Sequence, residues 1–261
     1  FSRRIRSLED WVGAPLLIRH KNQVELSERL LDAEPEIRAM IARAESLRTR
    51  LTPSGRRALS VSVATQHALA ADVFPRVFGD LADRRPEVVW RVRTLNREDC
   101  VSLFLRGDVD LLLCYEAKGF PPMPFDASIQ RRVIGGDTLI PVVGGFLRYK
   151  VGADLKLEQA PVLSYPEESH FGRLLKRTGL SDAFSPRAKP DRKVEAAFSG
   201  VLLELVNRGA GVGWLPFTMC RKGLASGDLV SLAEAYGSIP LDITLFALDT
   251  NRVAIDLLQE I

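Results

Sequence analysis

Apolar side chains at Phe1, Ile5, Leu8 and Val12 fall at the i, i+4, i+7, i+11 spacing of one helix face, so a helix is predicted over residues 1–12. Ser2, Arg3, Arg4 and Arg6 lie off that stripe and point outward. Gly13 supplies a stop and Pro15 prevents the helix resuming. Residues 16–27 alternate loosely, with Arg19, His20 and Lys21 at the tip, which predicts a short hairpin or wing. From Glu28 the rhythm becomes a heptad. Leu30, Ile37, Ala44 and Leu51 repeat every seven residues, with Ala33, Met40 and Leu47 at the companion positions. Such a seam favours helix–helix pairing, so Leu30, Ile37, Met40, Ala44 and Leu47 are the predicted dimerisation contacts. Pro35 is discordant, because a proline inside a helix costs roughly 3 kcal/mol; it is read as a kink or an early-turn position. Thr52-Pro53-Ser54-Gly55 then makes a hinge.

Beyond Ala58 short β-rich runs alternate with helical ones. Strands are predicted at Leu59–Ala64, Val88–Leu95 and Val109–Tyr115, separated by helices over Gln66–Ala82 and Glu98–Arg106. This order implies right-handed crossovers and a parallel sheet. The theme returns with a strand at Pro161–Tyr165, helices at His170–Thr178 and Glu195–Arg208, and a strand at Val212–Leu215. Two α/β units in tandem are expected. Residues 132–143 would carry the chain across to the second unit, and residues 241–248 would bring it back.

Charge sharpens the division. Residues 1–21 hold five Lys/Arg against two Asp/Glu, and the other 240 residues balance at 31 against 31. A local cationic excess suits a polyanionic partner, and a balanced remainder suits a small-molecule domain. The chain of 261 residues, 46% hydrophobic and 26% charged, has room for two or three ordinary domains. No apolar run approaches the ~20 residues of a membrane helix, so a soluble protein without membrane partners is expected. Cys100, Cys114 and Cys220 form no CxxC pair and no zinc spacing. They read as small buried apolar residues of a protein in a reducing, cytoplasmic setting.

Two sets of residues carry candidate chemistry. On the basic helix, Ser2, Arg3 and Arg6 are placed to meet base edges, since Arg can bridge the two major-groove acceptors of guanine. Arg4, Arg19 and Lys21 suit phosphate contacts, with His20 beside them at the tip. In the α/β part, ligands bind beyond the carboxyl ends of the strands, where helix N-termini converge. Those ends hold Thr65, Gln66, His67, Asn96, Arg97, Tyr115 and Glu116; Ser164, Tyr165, Glu168, Ser169 and His170 would face them from the second unit. Helix N-termini and Arg97 together favour a small anionic ligand. For Thr65 and Ser164, helix capping alone is the competing role. Enzyme signatures such as HExxH, GxSxG and a Walker loop are lacking, and neither a metal nor a cofactor is implied. Gly209-Ala210-Gly211-Val212-Gly213 follows a helix and leads into a strand, the reverse of the order that phosphate binding requires. Its glycines read as a helix stop and a close backbone approach.

Taken together, FSRRIRSLEDWVGAPLLIR, the heptad over 28–51, PRVFGDLADRRPEVVWRV, LRGDVDLLL and LVNRGAGVGWLP resemble, in order and spacing, a LysR-type transcriptional regulator. The resemblance covers essentially the whole chain. It implies a partial winged helix-turn-helix over residues 1–27, which in the family begins about two helices earlier, so an N-terminal piece is expected to be absent. It implies a linker dimerisation helix over 28–52. Residues 58–261 would form a two-lobed, periplasmic-binding-protein-like effector domain of two Rossmann-like subdomains, about 58–134 with 241–261, and 135–240. Implied partners are promoter DNA, an inducer in the cleft between subdomains, and further copies of the chain in a homodimer or homotetramer. The joints at Ser27 and Gly144 are abrupt for the family, as though residues were missing there. FSRRIRSLEDWVG and VGWLP are also similar to the hypochlorite-responsive branch, which would implicate oxidation of Met40, Met123 or Met219. A two-lobed solute-binding protein without DNA function is the alternative reading.

Overall fold

The computed structural model describes residues 2–19, 24–33, 37, 40, 41, 44, 59–157, 160–181, 184, 192–249 and 251–261. The chain forms two compact units, Phe1–Arg56 and Arg57–Ile261.

In the first unit, helix α1 (Ser2–Val12) ends where Gly13 adopts φ +74° and its amide donates to the Glu9 carbonyl at 2.8 Å. Strands β1 (Leu17–Arg19) and β2 (Val24–Leu26) pair antiparallel, the predicted wing. The Glu9 carboxylate ties wing to helix by accepting from the amides of Leu16 and Leu17 at 2.8 and 3.1 Å. Ser27 then caps α2 (Glu28–Asp32), its hydroxyl accepting from Leu30 N. The apolar stripe of α1 is only partly covered: Ile5 is half-buried, while Leu8 and Val12 are exposed. Of the heptad, Leu30 is half-buried, while Ile37, Met40 and Ala44 are helical and exposed. Leu47, Leu51, Pro35 and the hinge at 52–55 lie outside the described residues.

The second unit is built on a nine-stranded sheet in the order β4-β3-β5-β11-β6-β9-β7-β8, with β10 paired to β6. Strand β3 (Leu59–Gln66) lies parallel to β4 (Val88–Leu95) and β5 (Leu111–Ala117). Strand β7 (Val162–Ser164) lies parallel to β8 (Arg192–Glu195) and β9 (Val212–Pro216). Between these two parallel sets run β6 (Ile129–Gly144) and β11 (Ile239–Leu248), antiparallel to each other and to their neighbours. Short β10 (Leu229–Ser231) flanks β6. The strands expected to be parallel within each unit are parallel, and the sheet as a whole is mixed because the segments read as connections between the units are long antiparallel strands that join the lobes.

Helices follow the strands: α3 (His67–Ala70), α4 (Val73–Arg84), α5 (Arg97–Leu105), α6 (His170–Arg177), α7 (Ser199–Asn207), α8 (Phe217–Ser226), α9 (Ala233–Tyr236) and α10 (Arg252–Glu260). The single helix predicted over 66–82 is two, interrupted at Ala71 and Asp72. The helix predicted from Glu195 starts four residues later, because Arg192–Glu195 is drawn into the sheet as β8 beside β7. Val63, Leu113, Leu163 and Trp214 of the sheet form the main core with Leu81, Leu175 and Leu202 from the helices, and Ala64, Leu112 and Cys114 on the other face of β3 and β5 pack a second cluster with Phe104 and Phe246. Asp110, immediately before β5, fastens the start of that strand to β3 and to the residue that caps α10. Its carboxylate accepts from the Ser62 amide and hydroxyl at 2.8 and 2.7 Å and from the Asn251 amide group at 2.7 Å.

Candidate functional site

The carboxyl ends of β3, β4 and β7 open on one cleft of about 260 Å³, lined by the first residues of α3, α5, α6 and α7. From the first lobe come Gln66, His67, Asn96, Arg97, Glu98 and Asp99. The second lobe contributes Tyr165, Pro166, Glu168, Ser169, His170, Phe171 and Ser199. Helix N-termini leave amides without intrahelical partners and carry partial positive charge. Four of them converge on this cleft, whose lining carries Arg97 together with the acids Glu98, Asp99 and Glu168.

Within it the polar groups divide into those already engaged and those not. The Gln66 carbonyl oxygen accepts from the Tyr115 amide at 2.7 Å, and the Arg97 Nε donates to the Tyr115 carbonyl at 3.3 Å. One residue of β5 thus fixes both side chains. The Ser169 hydroxyl caps α6, accepting from Gly172 N at 3.1 Å while donating to the Pro166 carbonyl at 2.7 Å. Tyr165 donates to Ser199 at 2.7 Å, joining β7 to α7. Asn96 precedes α5 with no side-chain capping bond. Arg97 forms no ion pair with any described acid, whereas Glu98 pairs with Arg173 across the cleft from α5 to α6.

His170 is the most perturbed group. Burial, and then the like charges of Arg97 and Arg173, push its pKa down to about 3, so the imidazole is neutral at physiological pH. Its Nε2 is buried with no hydrogen-bond partner among the described residues. A buried unpartnered polar atom costs free energy unless something completes it. His67, whose ring meets Phe198 edge-on at 4.2 Å, is lowered by burial as well.

Of the predicted ligand residues, Gln66, His67, Asn96, Arg97, Tyr165, Glu168, Ser169 and His170 come together here. Thr65, Tyr115 and Ser164 do not. Thr65 is fully buried on β3, and neither it nor Ser164 caps a helix. Ser164 faces a separate pocket of about 200 Å³ behind β7. The Tyr115 side chain points away into the core, where its hydroxyl donates to Asp137 at 2.7 Å. Strand alternation explains the split, since neighbours on a strand point to opposite faces. Sequence reasoning missed Ser199 and Phe171. Ser199 was hidden inside an over-long helix; the Phe198-Ser199-Gly200 step was the available start signal.

On the basic unit, Arg3, Arg4 and Arg6 are exposed along α1. Ser2 belongs to α1 and Arg19 to β1, while His20 and Lys21 lie outside the described residues. Met40 is exposed, and Met123 and Met219 are half-buried.

A sensor domain in which two α/β lobes share antiparallel connecting strands and enclose a cleft of helix N-termini belongs to the ligand-binding class of folds. The chain belongs to the LysR-type transcriptional regulators: residues 54–248 match the LysR substrate binding domain. The HTH-type transcriptional regulator YjiE of Escherichia coli K12 is 24% identical over 252 residues, covering 96% of this chain and 80% of that protein. The Vibrio fischeri regulator DarR, solved with DNA, superposes with a TM-score of 0.65 at 21% identity, over 99% of this chain and 86% of that one. Full-length HypT of Salmonella typhimurium, described as a hypochlorite-specific LysR-type regulator, gives 0.60 at 24% identity over 99% and 86%. These relatives are regulators, not enzymes, and the solute-binding alternative is set aside. No helix of the described residues is long and apolar enough to cross a membrane.

Proposed function

We propose that a small anionic effector binds between the lobes and alters how the basic unit engages promoter DNA. Residues 1–27 form the DNA-reading part, 28–52 the dimerisation rod and 58–261 the sensor. Ser2, Arg3 and Arg6 face base edges, and Arg4, Arg19, His20 and Lys21 hold phosphates. Leu30, Ile37, Met40, Ala44 and Leu47 pair with a second copy, and sensor domains associate further into a tetramer in the cytoplasm. Exposure of Ile37 and Met40 on a helical segment supports a self-pairing surface.

The observation that carries the effector reading is Arg97, a half-buried cation at the cleft wall without an acidic partner among the described residues, beside the unpartnered Nε2 of neutral His170. A carboxylate would take the Arg97 charge and the free helix amides, and a neighbouring hydroxyl or amide would complete His170. Effector binding acts on DNA affinity only to the extent that it prefers one lobe arrangement. Gel-shift titration of the full chain on DNA flanking its own gene, with a panel of carboxylate metabolites, tests this. An effector that shifts DNA affinity in the wild type and fails in Arg97→Gln supports the reading. Calorimetry that finds only neutral or cationic ligands overturns the anionic class.

A further inference from the structure

Beside the cleft, on the far side of Glu98, a groove of about 460 Å³ runs between α5 and residues 123–129. Its floor is apolar: Val101, Leu105, Met123, Pro124, Phe125 and Ile129. The floor is also fixed. Phe125 packs edge-on against Phe246 at 5.2 Å, and the Met123 amide donates to Glu116 at 2.9 Å. Glu116 is itself held by Arg131 at 2.7 Å. Leu105 is 55% exposed, so α5 turns a large apolar side chain into this groove with nothing described covering it.

The rim carries charge of a particular kind. Asp126 is engaged by the Ser128 amide and hydroxyl, and Glu98 by Arg173. Arg97, which walls both the groove and the cleft, has no such partner among the described residues. An apolar trough of this volume, with the guanidinium groups of Arg97 and Arg173 and the already engaged carboxylates of Glu98 and Asp126 in its lining, has the composition of a small-molecule site.

We propose that the groove is a second ligand site, for a monocarboxylate with an apolar body of about eight carbons or one aromatic ring. The carboxylate sits between Arg97 and Arg173, and the body lies along Val101, Leu105, Met123 and Phe125. An anion at Arg173 competes with Glu98. That pair joins α5 of one lobe to α6 of the other, so occupancy of the groove loosens a cross-cleft contact. The site shares Arg97 with the effector reading but needs neither His170 nor the other helix N-termini of the cleft.

Isothermal titration calorimetry of the full chain with octanoate, and with neutral octanamide of equal length, is the test. Octanoate is expected to bind at least about ten-fold more tightly than octanamide, the scale of a lost charged hydrogen bond. Leu105→Asp and Arg173→Gln, both at exposed positions, should each weaken octanoate about ten-fold while leaving circular dichroism unchanged. His67→Trp, which fills the cleft and does not touch the groove, should leave octanoate binding intact. Binding abolished by His67→Trp and indifferent to Leu105→Asp would put the acid in the cleft, overturning the second site while upholding the effector reading. Equal binding of octanoate and octanamide, or no binding, also overturns it.

Discussion

At the scale of single residues, His170 behaves as a buried neutral base, and that has a definite signature. Its folded pKa of about 3 lies below the ordinary 6.5, so between those values the unfolded chain binds the extra proton. Stability owed to the neutral ring is complete above pH 6.5 and declines as pH falls from there toward 3. Urea midpoints of wild type and His170→Gln at pH 7.5 and 5.0 should show the wild type losing more on acidification. In proton NMR, the His170 ring signal should stay flat through the range where an ordinary histidine titrates. A ring that titrates near 6.5 would show that the imidazole is hydrated and that the cleft is not as dry as its burial indicates. The cysteines give a second residue-scale outcome. Burial pushes all three thiols up to about 12, leaving almost no thiolate at pH 8. Iodoacetamide should label none of the three in the native chain and all three in guanidinium, whereas rapid native labelling would point to an opening motion of the sheet. That the cysteines are buried was legible from the absence of spacing motifs. The orphaned Nε2 of His170 was not, since it depends on which residues of two lobes meet.

At the scale of elements, periodicity located most of the helices and strands to within a few residues, because amphipathic periods are written locally. What it missed were decisions taken by pairing partners. Residues 129–144 and 239–248 run antiparallel to their neighbours, yet nothing in their alternation states a direction. Glu195, read as the first residue of a helix, is instead the last residue of the edge strand Arg192–Glu195. The Gly209-Ala210-Gly211 run, by contrast, behaves as read. Gly209 ends α7 at φ +73°, and a Cβ on Gly211 would collide with the Pro161 carbonyl. Gly211→Ala should therefore cost about 1–3 kcal/mol through forced separation of β9 from β7. Asp110→Ala should lower stability by about 2–3 kcal/mol, since it abandons Ser62 and Asn251 together. Chemical denaturation measures both. A loss under about 0.5 kcal/mol at Asp110 would mean that water replaces it freely and that the strand edge needs no carboxylate.

At the scale of the sensor domain, the contacts between lobes are of two kinds, and the contrast bears on how the cleft can move. Deep in the connecting region, Asp137 of β6 accepts from Tyr115 of β5 at 2.7 Å and from the Thr218 hydroxyl and amide at 2.5 and 3.1 Å. That carboxylate stands at the N-terminus of α8, where the helix dipole favours it, and is buried. Nearer solvent, Glu98 pairs with Arg173, and Asp72 with Arg221 at 3.1 Å. Exposed pairs contribute about 0–1 kcal/mol, whereas stranding buried hydrogen-bonding groups costs several times that. The first kind is therefore the costlier to break, and the second the cheaper to exchange for other partners. Asp137→Ala should accordingly lower the unfolding free energy by about 2–4 kcal/mol. Glu98→Gln with Asp72→Asn should leave it within about 1 kcal/mol while changing effector affinity and the effector-dependent shift in DNA binding. If the double variant proved as destabilised as Asp137→Ala, the surface pairs would be structural.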